Sequence, residues 1–481
     1  MPMFTLAMRY TTRAPLGRML PFLIGLAACS PAKLVDTQNP GTVVDPSLIQ
    51  TAVGAAGLRT TAINAVMAAG ASGAFDTVIG MSGMVTDELG DWFIAGASGD
   101  DRHLLDQTKS INANGYGYRA IQLARVQIRQ ARQALQAYAN NTPSVPRAWQ
   151  GEMYALEGYT VVWLAELYCS GIPLSSSSLT GAQVLSRGLT TQELFTVAVA
   201  LFDSAATAGA DSARFVNLAR VGKARALIDL GQFAAADSAA TGVPTNFVYT
   251  VPSAVSGGSY FSFAYFESLG YFRVHDHEGG NGLEWSTDPR TGVVTVPELT
   301  GTMLWPAKYN VDSATGTPQP TTNQSYQSFR LADGLEARLV QAEAALALGN
   351  GSWLTTLNTL RSTCVGSAAC APLPGLTSTS LPPLTDPGAD TRLDTLMKER
   401  AMWLYLTGHR EGDLRRMAHV YNRDPETLWP TGTMVDPAYP PNFPNPGPEN
   451  GLQFGSDVVY GPDTHEQQLN PLYGGCYDVN P

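Results

Sequence analysis

ARVGKARALIDLGQFAAA, residues 219–236, predicts two helices that meet at a tight turn. Small residues along this stretch let two antiparallel helices approach closely, and Gly231 permits the turn between them. Phe233 then packs back on the helix pair. The sequence therefore predicts a helix-turn-helix unit centred on Gly231.

Helical periodicity continues on both sides of this unit. Apolar residues recur at steps of three and four over residues 121–138, which is one face of a long helix. Thr190 or Thr191 caps a later helix that has Glu193 in its first turn. The stretch at Gly231 resembles half of a tetratricopeptide unit, and a general helix-turn-helix explains it equally well. The helical periodicity therefore predicts an all-α fold of paired helices.

One domain is predicted for residues 48–481, with its helical scaffold at 48–242 and 328–423. Between these parts, at 243–327, the helical period disappears and aromatic residues stand among Gly, Ser, Pro and Thr. This pattern predicts a long, loop-rich insertion with short strands, after which helices resume at Ser328. Residues 424–481 are dense in Pro and Gly and predict an extended tail.

The N-terminus has the pattern of an export signal. Arg9, Arg13 and Arg18 precede a short apolar stretch that ends Leu26-Ala27-Ala28-Cys29. This pattern resembles a bacterial lipobox, in which 1–28 is the signal peptide and Cys29 is acylated. An ordinary signal peptide with a nearby cysteine is the alternative. Residues 29–47 would then form an extended leader, and the acyl chains would anchor the protein to a membrane.

Composition excludes one functional class. The 481 residues include 30 Lys+Arg and 41 Asp+Glu, for a net charge of −11, and no basic run occurs. Nucleic-acid binders usually carry a basic patch, so we predict no nucleic-acid partner.

Four cysteines remain besides the lipidation candidate. An even number in an exported protein favours disulfides, and we predict Cys364–Cys370 and Cys169–Cys476. Metal binding is the alternative, but neither a CxxC pair nor a histidine at ligand spacing accompanies these cysteines.

The search for catalytic chemistry finds no GxSxG, HExxH, P-loop or dinucleotide-binding motif. Two alternatives for His275-Asp276-His277-Glu278 are a metal cluster and, with Asn281 beside Asp276 and Glu278, a calcium site. A hydrogen-bonded turn explains these residues better because glycines follow at once. We predict no cofactor, no metal site and no enzymatic activity.

Charged residues on the last helices predict a structural ion network. Arg410 and Asp413 lie three residues apart and can pair along one helix face. Other members would dock the helix on the scaffold, namely Glu399, Arg400 and Arg416. A catalytic clamp is the alternative.

Aromatic residues among Gly, Asp and Pro are the candidates for ligand binding. Flat rings accommodate the apolar faces of sugars, and neighbouring polar side chains bind the hydroxyls. The segment 87–93 and the insertion both offer this combination. The candidates are Asp91, Trp92, Phe93, Trp285, Trp305 and Tyr309. The alternative is that each ring anchors its own loop to the scaffold.

A series of short motifs resembles the SusD/RagB family of outer-membrane nutrient-binding lipoproteins. In chain order the motifs are Cys29, Asn39-Pro40, Gly171-Ile172-Pro173-Leu174, Asp288-Pro289-Arg290, Ala342-Glu343-Ala344, Asn358-Thr359-Leu360-Arg361, Glu399-Arg400, Gly408-His409-Arg410-Glu411-Gly412-Asp413-Leu414-Arg415-Arg416, Glu466 and Asn470-Pro471.

The resemblance implies a tetratricopeptide-like scaffold, a place on the outer membrane facing the cell exterior, and an oligosaccharide or peptide ligand. It also implies a partner, a TonB-dependent transporter barrel of the SusC type. Two other functions stay open: a tetratricopeptide-type lipoprotein for envelope assembly, and a surface glycoside hydrolase with two facing carboxylates.

Overall fold

Antiparallel helices form most of the molecule. The computed structural model describes residues 51–73, 76–91, 115–138, 145–178, 181–252, 272–298, 301–309, 329–364, 381–433, 453–456 and 458–477. The helices before the insertion are α1 (Ala52–Ala71), α2 (Val78–Val85), α3 (Gly115–Tyr138), α4 (Ala148–Leu167), α5 (Thr191–Ala208), α6 (Ala213–Asp229) and α7 (Phe233–Ala240). Those after it are α8 (Gly334–Ala347), α9 (Ser352–Thr363), α10 (Arg392–Leu404), α11 (Arg410–His419) and α12 (Thr464–Leu469).

Neighbouring helices pack in sequence, as the helix-pair prediction requires. Each of α3 to α7 packs on the helix that follows it, and α8 packs on α9. Thr190 is the N-cap of α5 and forms a capping box with Glu193. Gly231 has φ 69° at the turn between α6 and α7. The predicted all-α fold is therefore confirmed.

Close approach of α4, α5 and α6 depends on Gly222. A Cβ atom at this position would lie 2.3 Å from Cζ of Phe202 and 2.9 Å from Cζ of Tyr159. The rings of Phe202 and Tyr159 are themselves packed edge to face, with centroids 5.2 Å apart. The ring of Phe202 therefore occupies the space that a larger residue at 222 would need.

We expect Gly222→Ala to lower the free energy of unfolding by about 1–3 kcal/mol, because the core is already filled. Gly57→Ala is the matched control, since nothing lies within 4 Å of a Cβ at Gly57 on α1. The control should stabilise by about 0.5–1 kcal/mol through helix propensity. Urea denaturation of both variants measures their free energies of unfolding. Equal stability of Gly222→Ala and Gly57→Ala would contradict the close packing at Gly222.

Short strands lie within the insertion, directly after it and after α4. β6 (Val248–Val251) pairs antiparallel with β10 (Phe329–Asp333), and β8 (Val293–Glu298) forms a hairpin with β9 (Gly301–Pro306). Two short strand pairs follow α4. β2 (Ile172–Pro173) pairs with β5 (Gly188–Leu189), and β3 (Ser176–Ser177) pairs with β4 (Gln183–Val184).

The prediction that helices resume at Ser328 is wrong. The chain first forms β10, and Asp333 then caps α8 by accepting a hydrogen bond from Glu336 N.

The C-terminal tail is tied back to the scaffold. Cys169, which follows α4, is disulfide-bonded to Cys476, with Cα atoms 5.6 Å apart. Cys364 is also disulfide-bonded, and Cys370, its predicted partner, lies outside the described residues, as does Cys29. The tail is not extended throughout, because it contains α12.

Hydrophobic residues from α1 to α11 share one core within the compact unit of residues 45–481. Among the residues described, no helix combines the length and apolar character needed to cross a bilayer.

Candidate functional site

Two segments that carry predicted ligand residues meet in a pair of short strands. β1 (Gly90–Asp91) pairs antiparallel with β7 (Phe272–Arg273), and Asp91 lies opposite Phe272. Directly after β7, Val274 N donates a hydrogen bond of 3.0 Å to Leu304 O on β9. We call residues 87–91, 272–285 and 301–309 the ligand face. Trp92 and Phe93 follow β1 directly and lie outside the described residues.

A buried ion pair fixes the start of β1. Arg410 donates two hydrogen bonds to the Asp87 carboxylate, of 2.7 Å from Nε and 2.8 Å from a terminal nitrogen. A Cβ atom at Gly279 would lie 2.6 Å from Oδ2 of Asp87, so the insertion covers the pair. Bidentate geometry of this kind restrains both partners. The chain leading to Trp92 is thereby attached to α11.

Glu88 forms a second attachment. Its Oε1 accepts a hydrogen bond of 3.0 Å from Leu406 N, in the turn between α10 and α11. Burial raises the pKa of Glu88 to about 8, although this hydrogen bond and Arg410 act in the opposite direction. The sequence interpretation that the polar residues of 87–93 face a ligand is therefore wrong for Asp87 and Glu88, whose side chains are buried.

Two of the aromatic candidates are buried rather than exposed. Trp285 is 0 % exposed and packs on Tyr405, with ring centroids 4.9 Å apart. Tyr309 is 4 % exposed and its hydroxyl donates a hydrogen bond of 2.6 Å to Leu406 O. The hydroxyl of Tyr309 thereby supplies a donor to a carbonyl group of the turn after α10, which is inside the protein. The interpretation of both rings as exposed binding platforms is therefore wrong.

Trp305 is less buried than Trp285 and Tyr309. It lies on β9 opposite Val294 and is partly buried. Of the predicted aromatic candidates among the described residues, Trp305 alone keeps partial exposure. Asp91 contributes its backbone to the β1–β7 pair.

The predicted ion network is buried and denser than the sequence suggests. Arg416 donates hydrogen bonds to Glu343, Asp413 and Asp229, and Arg400 donates two to Asp413. Burial alone would raise the pKa of Asp413, but Arg400 and Arg416 outweigh it and hold this pKa well below its ordinary value. These contacts dock α10 and α11 on α8.

The expected pairing of Arg410 with Asp413 is replaced by other partners. Arg410 binds Asp87, as described above, and Asp413 binds the other two arginines. Glu399 binds Arg290 at 2.7 Å and Arg361 at 2.6 Å, which connects the insertion to α9 and α10. Each of these acids and arginines thus has a structural partner.

The segment around His275 is a hydrogen-bonded turn. His275 contacts Glu278 at 3.1 Å, and His277 contacts Glu284 at 3.1 Å. Asp276 accepts two hydrogen bonds from Ser286. No group of three or more His, Cys, Asp or Glu side chains suited to a metal ion occurs within the described residues.

Comparison with known proteins identifies the second half of the chain. Residues 261–473 match the family model of the SusD family. Residues 261–473 belong to the SusD family. The resemblance predicted from the short motifs is thereby confirmed. This SusD-family segment contains β7, β8, β9 and α8 to α12, and therefore most of the ligand face. No curated protein matches the sequence.

Solved structures share the fold over most of the chain. NanU of B. fragilis superposes with a TM-score of 0.57 at 13% identity, covering 91% of this chain and 98% of its own. A SusD-like carbohydrate binding protein from Bacteroides vulgatus ATCC 8482 superposes with a TM-score of 0.56 at 12% identity, covering 90% of this chain and 98% of its own. Surface glycan-binding protein A from Bacteroides uniformis superposes with a TM-score of 0.55 at 13% identity, covering 87% of this chain and 98% of its own. At these identities the similarity shows a common fold.

Proposed function

We propose that this protein captures an oligosaccharide on its ligand face and delivers it to a membrane transporter. The observation that carries the proposal is the β1–β7 pair, which joins the segment leading into Trp92 and Phe93 to the SusD-family segment. Trp305 on β9 is part of the same face. Flat rings beside polar groups are the usual means of holding a sugar.

Rigid attachment of this face supports a binding role. The Asp87–Arg410 ion pair and the bond from Leu406 N to Glu88 hold the start of β1 on the helical scaffold. A rigid base reduces the conformational entropy that is lost on binding. Two of the structural neighbours are described as carbohydrate- or glycan-binding proteins, which agrees with this ligand class.

We further propose that Cys29 is lipidated, that the protein lies on the outer membrane facing the cell exterior, and that a SusC-type TonB-dependent barrel is its partner. The lipobox-like stretch and the SusD-family segment support this arrangement. Acyl chains anchor a protein without a membrane-spanning helix. Covalent chemistry is not part of the proposal, because Glu88 and Glu411 are buried and the network acids are bound by arginines.

Titration calorimetry of residues 30–481 against a panel of glycans and peptides tests the proposal. We expect a glycan to bind, and Trp92→Ala to weaken its affinity by about ten-fold or more, because the apolar face of a sugar loses its platform.

Trp149→Leu is the matched control, since Trp149 lies on α4 with the Arg59 guanidinium 4.4 Å from its ring. This control should leave the affinity unchanged. Binding of peptides and of no glycan would contradict the oligosaccharide ligand and assign a peptide ligand instead. If no member of either class bound, the capture function would be refuted.

A further inference from the structure

A groove lies between the first half of α3, the β3–β4 pair and α12. Its volume is about 340 Å³, which is within the range of about 300–1,000 Å³ that small-molecule sites occupy. Within the described part of the chain, none of its lining residues belongs to the ligand face. The lining residues used below are Tyr118, Arg119, Gln122, Ser176, Gln183, Leu185, Asp463, Glu466, Leu469 and Asn470.

The floor of the groove is a fixed polar network around Glu466. The Asn470 amide donates a hydrogen bond of 2.8 Å to Oε1 of Glu466. Gln122 donates both of its amide hydrogens, to the Tyr118 hydroxyl at 2.9 Å and to Pro173 O at 2.8 Å. Side chains held in this way are ordered before a ligand arrives, which reduces the entropy that binding costs.

Three polar groups at the groove keep hydrogen-bonding capacity. Oε2 of Glu466 contacts the Tyr118 hydroxyl at 3.4 Å, which is long for a bond between two oxygen atoms, so this carboxylate oxygen can accept a stronger bond. The side chains of Ser176 and Gln183 line the groove and are bonded to no other described residue. A carboxylate, a hydroxyl and an amide together can accept from and donate to the neighbouring hydroxyl groups of a sugar ring.

The charges at the groove are balanced, which favours a neutral ligand. Arg119 forms an ion pair with Asp463. The buried Arg125 donates a hydrogen bond of 3.0 Å to Gln122 and lies within electrostatic reach of Glu466. A ligand therefore gains little from a net charge of its own, and hydrogen bonds and apolar contacts determine its affinity.

The rim of the groove is apolar and exposed. Leu185 follows β4 and is 37% exposed, and Leu469 ends α12 and is 70% exposed. Tyr116 is also exposed and lies three residues before Arg119, whose guanidinium is 5.2 Å from its ring centroid. Exposed apolar groups beside polar ones are typical of binding sites. A polar floor with an apolar rim matches a sugar, whose hydroxyls need polar partners while its C–H faces need apolar contact.

We propose that this groove is a second glycan site, which binds a neutral oligosaccharide through Glu466, Gln183 and Leu469. Oε2 of Glu466 accepts a hydrogen bond from a ring hydroxyl, the Gln183 amide donates one, and Leu469 packs on the C–H face. The inference takes its ligand class from the proposed function, but it uses no residue of the ligand face.

Calorimetric titration of the purified full-length protein with maltohexaose, cellohexaose, xylohexaose and mannohexaose tests the inference. Trp92→Ala removes the platform proposed for the ligand face and leaves the groove intact, so we expect binding of at least one of these sugars to persist in this variant. Adding Glu466→Gln or Leu469→Ser to Trp92→Ala should weaken the remaining affinity by about ten-fold or more.

Leu469→Ser changes a surface residue, so it keeps the test open if Glu466→Gln disturbs the polar network. Leu348→Ser is the matched control, since Leu348 is 57% exposed after α8 and does not line the groove, and it should leave the affinity unchanged.

Loss of all binding in Trp92→Ala alone, or unchanged affinity in both double variants, would overturn the groove site and leave the ligand face intact. Loss of all binding in Leu469→Ser alone would support the groove and contradict the ligand face instead. If none of the four sugars bound, the groove site would be overturned, whereas the wider panel of glycans and peptides still tests the capture function.

Discussion

Replacing Arg416 by methionine is expected to lower the free energy of unfolding by about 3–5 kcal/mol. Arg416 is 2% exposed at its side chain and donates to Glu343 at 2.6 Å, to Asp229 at 2.6 Å and to Asp413 at 2.7 Å. Methionine fills much of the volume but leaves the three carboxylates with fewer donors in a dry environment. Buried charges that lose their partner are strongly destabilising.

Urea denaturation at pH 7 and pH 4.5 measures this effect. The destabilisation should shrink at the lower pH, because carboxylates without a partner can then take up protons. Arg423→Met is the matched control, since Arg423 pairs with Asp394 at the surface and should change the stability by less than about 1 kcal/mol. An Arg416→Met protein as stable as wild type would show that the network does not hold α11 in place.

Replacing Glu88 by glutamine is expected to stabilise the protein at pH 9 by about 2–4 kcal/mol and to have little effect below pH 5. Burial raises the pKa of Glu88 from 4.5 to about 8 in the folded protein. Between these values the folded state holds a proton that the unfolded state releases. The free energy of unfolding therefore falls as pH rises through this window, and glutamine removes that dependence.

Denaturation curves of wild type and Glu88→Gln from pH 4 to pH 9 test this expectation. The glutamine keeps an oxygen acceptor for Leu406 N, so the attachment of β1 is retained. Glu426→Gln, which changes an exposed carboxylate, serves as the control. If Glu88→Gln were less stable than wild type over the whole pH range, Glu88 would be an ionised partner of Arg410 instead.

Local patterns in the sequence predict the scaffold well, because helices depend on neighbours three and four residues apart. The turn at Gly231 forms as expected, and Phe233 packs against Tyr421, with ring centroids 5.8 Å apart. Glu193 and Thr190 form their capping box for the same local reason. The contact of Phe233 with Tyr421 could not be predicted, since Tyr421 lies beyond the end of α11, far along the chain.

The candidate site depends on contacts between distant parts of the chain. Asp87 and Glu88 stand before a Gly-Asp-Trp stretch that is typical of an exposed loop, yet Arg410, the partner of Asp87, is 323 residues away. Trp285 is likewise buried against Tyr405, a residue from a distant part of the chain. Four cysteines allow three pairings. Only the packing of the tail on α4 brings Cys169 and Cys476 together across 307 residues.

A crystal structure with a glycan identified by titration tests the central claim most directly. We predict electron density for the sugar on the ligand face, against Trp92 and beside β9 with Trp305. Density for the glycan at any other surface, with the ligand face empty, would contradict the account.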